Sequence, residues 1–540
     1  MMAAGKLGVF AVLAGLLVAP LALRPQLPKA TAQVRLVIIS PHDSQIREEF
    51  AHAFARYAVE HLGTSVDIDW RTVGGTGEIT RYLDERYTQA FDDAYPQLSK
   101  DLARVHDPRG FLSAGSDSPT AAAPERAARS AFLASATGTG IDIWWGGGEY
   151  PHRTYANKGV LVDAGLLRAE PTWFTNAVIP QKLSGETIWD AKGRYYGASL
   201  SIFGICASPD RLASLTPSTT PTQWEDLGAG RFFDVLTVVD PTRSAASASA
   251  FERLMQQQMS LQMTHTMSLA TGQLPAQATA QALAQGWRAG MVLIKKIGGN
   301  TRDLSDGASF AVREVVRGDV TAAMAIDFQA RCEEEYAYTL SGQHRLVFTA
   351  PVGGTSVSAD PISLLRGSPH REMAVAFMHF VLSPEGQRLL DRRIGTPGGP
   401  EHTALRRMPV RKDCYTTADR QLMSDPDADP FAVAASFTYH PAWTAPYYTL
   451  LSRVIRAVVM DPRPELTRAW RAILDAGGPE RVPRAWEEFC WIPFTYAEAP
   501  AMEKILDQND VGETLPLQRT WTVQAQEHYR RCETLARSGQ

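Results

Sequence analysis

Residues 34–63 read VRLVIISPHDSQIREEFAHAFARYAVEHLG. Val34–Ile39 is an apolar, β-branched run of the kind that forms a strand covered on both faces. Ser40-Pro41-His42 interrupts it, and Ile46, Phe50, Ala53, Phe54, Tyr57 and Ala58 then recur at helical spacing. A strand, a polar loop and an amphipathic helix form a β-loop-α unit, the building block of a largely parallel sheet.

The same order returns along the chain. Residues 66–87, VDIDWRTVGGTGEITRYLDERY, predict a strand, a Gly-Gly-Thr-Gly loop and a helix from about Glu78. Residues 140–150, GIDIWWGGGEY, run a short apolar strand into three glycines, which mark backbone with unusual dihedrals or a close approach. Residues 195–208, YYGASLSIFGICAS, predict a long strand, and LTVVDPTRSAASASAFERLMQQQ (236–258) a strand, an Asp-Pro turn and a helix. VREVVRGDVTAAMAIDFQARCEEE (312–335) predicts a helix, a turn and the strand Ala322–Ile326, and HREMAVAFMHFVLSPEGQRLL (370–390) an amphipathic helix. Residues 101–139, rich in Ala, Ser, Gly and Pro, predict an insertion, part of it a mobile surface segment. From about residue 425 the strand-helix alternation stops, and the aromatic-rich text predicts a helical extension packed on one lobe.

Composition narrows the classes of function. The 540 residues are enough for two to four domains, and a net charge of -4 gives no general affinity for nucleic acid. Lys6 precedes an apolar run, Leu7 to Leu23, and Ala30-Thr31-Ala32 precedes Gln33, the pattern of a cleaved export signal. The run is also close to the length of a spanning helix, so an uncleaved anchor stays open, and either reading puts the rest outside the cytoplasm. The five cysteines show no disulfide framework, and buried free thiols are the plainer reading, with a Cys490–Cys532 staple the alternative. The 12 histidines form no close-spaced zinc pattern. No G-x-S-x-G elbow, Walker loop or complete G-x-G-x-x-G follows a predicted strand, and the acids of CEEEY (332–336) read as a solvated helix face.

Open α/β sheets bind ligands beyond the carboxyl ends of their strands, where loops meet helix N-termini. Four such loops are polar or glycine-rich: Ser40-Pro41-His42, Gly74 to Gly77, Gly146 to Gly148, and Asp240 to Ser244. Converging helix N-termini favour an anion, and Arg243 adds a fixed cation. Taken singly, each loop is equally an ordinary turn with a helix cap. Of Trp144 and Trp145, one faces a core while the other reaches the cleft, or both pack in the core.

These stretches, with GVLVDAG (159–165), PTQWEDL (221–227), DPISLLRGSP (360–369) and GTPGGPEHTALRRMPVRKD (395–413), resemble the extracellular solute-binding proteins of ABC transporters. The resemblance is to the iron(III)/phosphonate-like branch with the type II periplasmic binding fold, and spans residues 34 to about 415. It implies an α/β protein of two lobes joined by hinge strands, plus the helical C-terminal extension. The implied division is 1–32 signal peptide or anchor, 34–145 and 328–415 lobe one, 146–327 lobe two, and 416–540 extension. The lobes close on a small solute and deliver it to an ABC permease in the membrane, without covalent chemistry. The implied protein is a periplasmic or otherwise extracytoplasmic monomer with no catalytic residue, resident metal, cofactor or nucleic-acid partner.

Carried over position by position, the ligand-binding set is Ser40, His42, Gly75, Thr76, Trp145, Gly146, Gly147, Thr242, Arg243, Ser244, Asp327 and Gln329. Ferric-binding members use tyrosines near the last strand end, where this chain reads Ile326-Asp327-Phe328-Gln329, and a phenyl ring offers no oxygen to a hard cation. An anionic organic solute, a phosphonate or a sugar phosphate, therefore suits the loops better. A ferric-iron transport protein and a sensory or scaffold module on the same fold are the alternatives.

Overall fold

The computed structural model describes residues 33–98, 123–269, 272, 275–507 and 511–540. The expected signal peptide or anchor and residues 99–122, which include the first part of the expected insertion, lie outside the described residues. The first unit is β1 (Val34–Ile39), α1 (Ser44–Leu62), β2 (Val66–Arg71) and α2 (Thr76–Leu98). There follow α3 (Ala123–Ala134), β3 (Ile143–Trp145) and α4 (Glu149–Asn157). Next come β4 (Tyr196–Ala207), β5 (Leu236–Val239), α5 (Ala245–Ser268) and α6 (Ala276–Asn300). The α/β part is completed by β6 (Thr301–Ser305), α7 (Ala308–Arg317), β7 (Ala322–Ile326), α8 (Asp327–Ser341), β8 (Val357–Leu365) and α9 (Arg371–Leu382).

The strands join in the order β2-β1-β3-β8-β4-β7-β5-β6. β1 is parallel to β2 and β3, and β5 is parallel to β7 and β6. β8 and β4 run antiparallel between these groups. All 12 residues of β4 are buried, and the strand serves both halves: Tyr196–Ile202 pairs with β8, and Phe203–Ala207 with β7. β1 is covered on both faces, as its apolar run predicts. Leu36 and Ile38 pack with Phe50 and Phe54 of α1, and Ile39 with Ile79 and Leu83 of α2.

Two cores result. The first collects α1, β3, α4, the first half of β4, β8 and α9; the second collects the second half of β4 with α5, α6 and β7. Residues from Glu149 to Ile202 pack with the first core, although the resemblance puts the second lobe from residue 146. The reason is pairing: Leu161 and Val162 lie antiparallel to Leu365 and Leu364 of β8, which holds the segment after the glycines on the first half-sheet. Ala330 and Leu346, expected in lobe one, pack instead with Cys206 and Val312 of the second half.

The helical extension builds α10 (Tyr448–Ile455), α11 (Arg463–Asp475), α12 (Pro483–Phe489) and α13 (Val511–Arg537). Leu450, Trp470, Phe489 and Tyr529 from these helices share the core of α5 and α6. The indole of Trp470 donates to Asn300 Oδ1 at 2.7 Å, and the Asn300 amide donates to the carbonyls of Leu227 and Ala229. The extension is thereby built into the second core.

Other local expectations resolve through specific contacts. Residues 370–390 form two helices, because Ser383 caps the helix Pro384–Leu389 by accepting from Gly386 N at 3.2 Å. Part of the expected insertion is ordered: Phe132 of α3 meets Phe91 of α2 edge-on. The CEEEY acids are not simply solvated, since Glu333 accepts from Arg313, Glu334 from Leu346 N, and Glu335 faces Arg406 at 3.5 Å. All five cysteines are free thiols.

Two stability predictions follow from this packing. α5 and α6 meet at Gly286 and Gly290. A Cβ on Gly286 would sit 2.3 Å from Met259 Cα, and one on Gly290 would sit 2.3 Å from Met255 Sδ. Backbone yields less readily than a thioether, so Gly286→Ala should destabilise by about 1–3 kcal/mol against a helix-propensity gain of about 1 kcal/mol, and Gly290→Ala by less. Chemical denaturation of both variants checks the order. His152 is fully buried between Gly146 O and Ser363 Oγ and stacks on Trp144 at 4.1 Å. Burial, opposed in part by the Gly146 carbonyl, pushes its pKa down to about 4. The unfolded chain binds that proton first, so stability should fall by roughly 3 kcal/mol as pH drops from about 6.5 to 4. His152→Gln should flatten that part of the stability curve; parallel wild-type and variant curves would refute the assignment.

Candidate functional site

The three glycines after β3 turn sharply. Gly146, Gly147 and Gly148 all have positive φ, at 96°, 103° and 86°. Side chains are excluded for a second reason: a Cβ on Gly146 would lie 2.8 Å from His42 Nε2, and one on Gly147 2.9 Å from Thr76 Oγ1. The turn thus brings together the loops after β1, β2 and β3. Ser40, buried at the end of β1, accepts from His42 N at 3.1 Å, and Thr76 Oγ1 donates to Gly147 O at 3.4 Å. Gly75 lies beside Thr76 and adjoins the Glu78 side chain.

Beneath the turn lies a carboxylate that the sequence did not single out. Asp360 of β8 accepts from Gly147 N at 2.9 Å and from Arg407 at 2.8 Å, and His42 Nε2 stands 2.7 Å away. Burial alone would raise its pKa, but Arg407 and His42 reverse this and hold the carboxyl well below its usual range. Arg407 also lies over the Phe328 ring at 4.4 Å. At the end of β7 it is therefore Phe328 that neighbours this cluster. Asp327 and Gln329, the predicted pair, turn elsewhere. Asp327 is 1% exposed and 3.7 Å from Arg331, with burial raising its pKa, and Gln329 donates to Ser309.

Trp145 is 2% exposed. It packs edge-on against Phe50 in the first core and presents its ring to His42 at 4.8 Å, while Trp144 packs on the opposite face of the sheet. Trp145 thus supports His42 from within the core.

On the second core, Asp240-Pro241-Thr242-Arg243-Ser244 leads from β5 into α5. Ser244 is the N-cap, its hydroxyl accepting from Ser247 N at 3.3 Å. Thr242 N and Oγ1 donate to Asp240, which also pairs with Arg456 at 3.2 Å. Arg243 is exposed, and among the described residues its guanidinium has no ion-pair or hydrogen-bond partner. The two halves of the site are linked by tyrosines: Tyr150 of α4 stacks on Tyr448 at 5.3 Å, and Tyr448 OH donates to Ala245 O at 3.3 Å. The N-termini of α2, α4 and α5 therefore belong to one connected region.

Their charges differ. The first turn of α2 carries Glu78, and that of α4 carries Glu149, partly buried and bonded by Tyr195 OH at 2.7 Å, with desolvation raising its pKa. The first turn of α5 contains no acid. A carboxylate in the first turn offsets the positive end of a helix, so α5 is the helix of the three that keeps its attraction for an outside anion.

Asp360, Arg407, Tyr150 and Tyr448 were not among the predicted site residues. The sequence signal for Asp360 was a lone charged residue within residues 357–365, VSADPISLL; the others carried none.

Residues 201–393 match the family described as bacterial extracellular solute-binding protein. The phosphoglycerate transport regulatory protein PgtC of Salmonella typhimurium is 27% identical over 194 residues, which is 36% of this chain and 39% of that protein. The chain thus spans about two fifths of the length of the curated relative it matches. Among solved structures, the periplasmic binding protein AfuA from Actinobacillus pleuropneumoniae is 15% identical, with a TM-score of 0.40, covering 66% of this chain and 82% of its own. Iron-bound HitA from Pseudomonas aeruginosa is 16% identical, with a TM-score of 0.42, covering 78% and 99%. Among the described residues no helix is long and apolar enough to cross a membrane. The matched segment builds the second half of β4 and the elements from β5 to α9, so the similarity to bacterial extracellular solute-binding proteins runs through parts of both cores.

Proposed function

We propose that this protein captures a small phosphorylated organic anion between its two cores, outside the cytoplasm, and delivers it as a monomer to a membrane permease. The observation that carries the choice of solute is Arg243, an exposed guanidinium without a partner among the described residues, beside a helix N-terminus without an acid in its first turn. Both features attract a phosphate, and a guanidinium matches its oxygens in bidentate fashion. The Gly146–Gly148 turn, with Thr76, forms the opposing wall. Tyr150 and Tyr448 are the aromatic contacts that would part to admit the carbon skeleton. Phosphoglycerate, named for the relative PgtC, is the first solute to try.

In this reading the lobes follow the two cores: residues 34–202 with the β8–α9 region and its sequel to about 435 form one lobe, and 203–326 with the helices after 445 form the other. The hinge then lies where β4 passes from one half-sheet to the other.

The test is isothermal titration of the purified exported form with phosphoglycerates, sugar phosphates, phosphonates, polyamines and ferric citrate. A phosphorylated compound should bind. Arg243→Ala should weaken it about 10- to 100-fold, the loss of a charge-assisted hydrogen bond worth about 1.5–3 kcal/mol, while thermal unfolding without ligand is unchanged. Binding confined to ferric citrate, or phosphate binding that Arg243→Ala leaves intact, would overturn the proposal.

A further inference from the structure

A second cluster lies on the outer side of the first core, well along α1 from the glycine turn. Glu49 of α1 is 3% exposed, and its carboxylate accepts three backbone N–H groups. Glu401 N donates to Oε2, and His402 N and Thr403 N donate to Oε1, each at 2.7 Å. This clamp fixes the 401–403 segment over α1. One turn further along the helix stands His52, and its ring meets that of His402 edge-on, with centroids 5.6 Å apart. One ligand atom from each of His52, Glu401 and His402 lies within 4.8 Å of the others, and all three side chains are exposed.

We propose that His52, Glu401 and His402 form a surface site for a divalent transition-metal ion of the zinc class. Two imidazoles and one carboxylate are a borderline nitrogen-rich set; zinc, copper and nickel favour it, whereas calcium and magnesium require oxygen ligands. Bonds of about 2.0–2.2 Å to each donor need the ligand atoms to close by only about 1 Å, which exposed side chains reach by rotation. The segment that would have to order is already ordered, since Glu49 holds its backbone. Solvent supplies the remaining ligands. Arg56 competes, because it forms an ion pair with Glu401. That pair is half-exposed, and such pairs are worth at most about 1 kcal/mol, so an incoming dication displaces it. The bound ion would tie α1 to the chain beyond α9. No close sequence spacing announces the site, because His52 and His402 come from opposite ends of the α/β part.

The tag-free full chain is titrated with zinc chloride by calorimetry, and with cobalt(II) by visible absorption. One ion should bind per chain, and cobalt should give d–d bands altered from those of the hydrated ion. His52→Ala and His402→Ala should each weaken zinc binding at least tenfold and abolish the cobalt spectrum, with unchanged circular dichroism. Arg56→Met should strengthen binding by freeing Glu401. Zinc binding of equal stoichiometry and affinity in the His52→Ala/His402→Ala double variant would overturn the proposal, as would a wild-type chain that takes up neither ion.

Discussion

One largely buried carboxylate, Asp360, holds the centre of this molecule together. It accepts the Gly147 N–H, faces His42 and pairs with Arg407, so a single side chain of β8 fixes the loop after β1, the turn after β3 and the segment beyond α9. With Arg407 and Asp360 largely buried, their pairing is obligatory, because either one alone would leave an uncompensated charge worth several kcal/mol. The positive φ angles of Gly146 and Gly147 depend on it as well. A glycine turn is floppy when free, and this one is held by a hydrogen bond to a charge that Arg407 and His42 keep ionised against the opposing effect of burial.

A comparable polar joint connects the two cores. Arg253 of α5 donates to Glu252, Glu186, Ser356 and Ser358, and Glu252 in turn accepts from Tyr439 and Thr444. Glu186 lies in a two-stranded hairpin, and Ser356 and Ser358 lie at the start of β8, whereas Arg253 lies in α5 of the second core. Two carboxylates share one guanidinium, so the hydroxyls are needed to satisfy the remaining lone pairs. Shearing the cores past each other at this joint would strand charges out of water.

The fold was legible because its signals are local. The apolar run at Val34–Ile39, the helical spacing of Phe50 and Phe54, and the glycines after Trp145 each specify their own conformation within a few residues. The sheet partners of residues 149–202 were not legible, since Val162 opposite Leu364 is a long-range pairing that no local pattern encodes. The same distinction divides the site. Gly146, Gly147, Thr76 and His42, which the fold brings together, were singled out because glycine and polar residues at strand ends are unusual locally. Arg407 was missed because its significance lies wholly in Asp360 and Phe328, which are distant in sequence. At the end of β7 the strand gives way directly to α8, so consecutive side chains fan apart. Position alone could not tell that Phe328, rather than Asp327 or Gln329, would meet the cluster.

Electrostatics separate helix ends that look alike in sequence. α2, α4 and α5 all begin at glycine-rich or hydroxyl-rich loops, and turn chemistry alone ranks them equally. Glu149 changes the ranking: it is bonded to Tyr195 and close to Arg153, and satisfies the positive end of α4 from within. Glu78 partly does the same for α2, though it is exposed and shared with Arg81. At α5 the nearest acid, Asp240, is itself committed to Thr242 and Arg456. The uncompensated positive potential of this region therefore concentrates on one helix end and one guanidinium, and both lie on the second core. In the function proposed above, an anion arriving there would face the glycine turn of the first core across the Tyr150–Tyr448 stack. On that proposal the charge that attracts the ligand would lie on the second core, and the glycine turn of the first core would supply shape and backbone groups to select among ligands of equal charge.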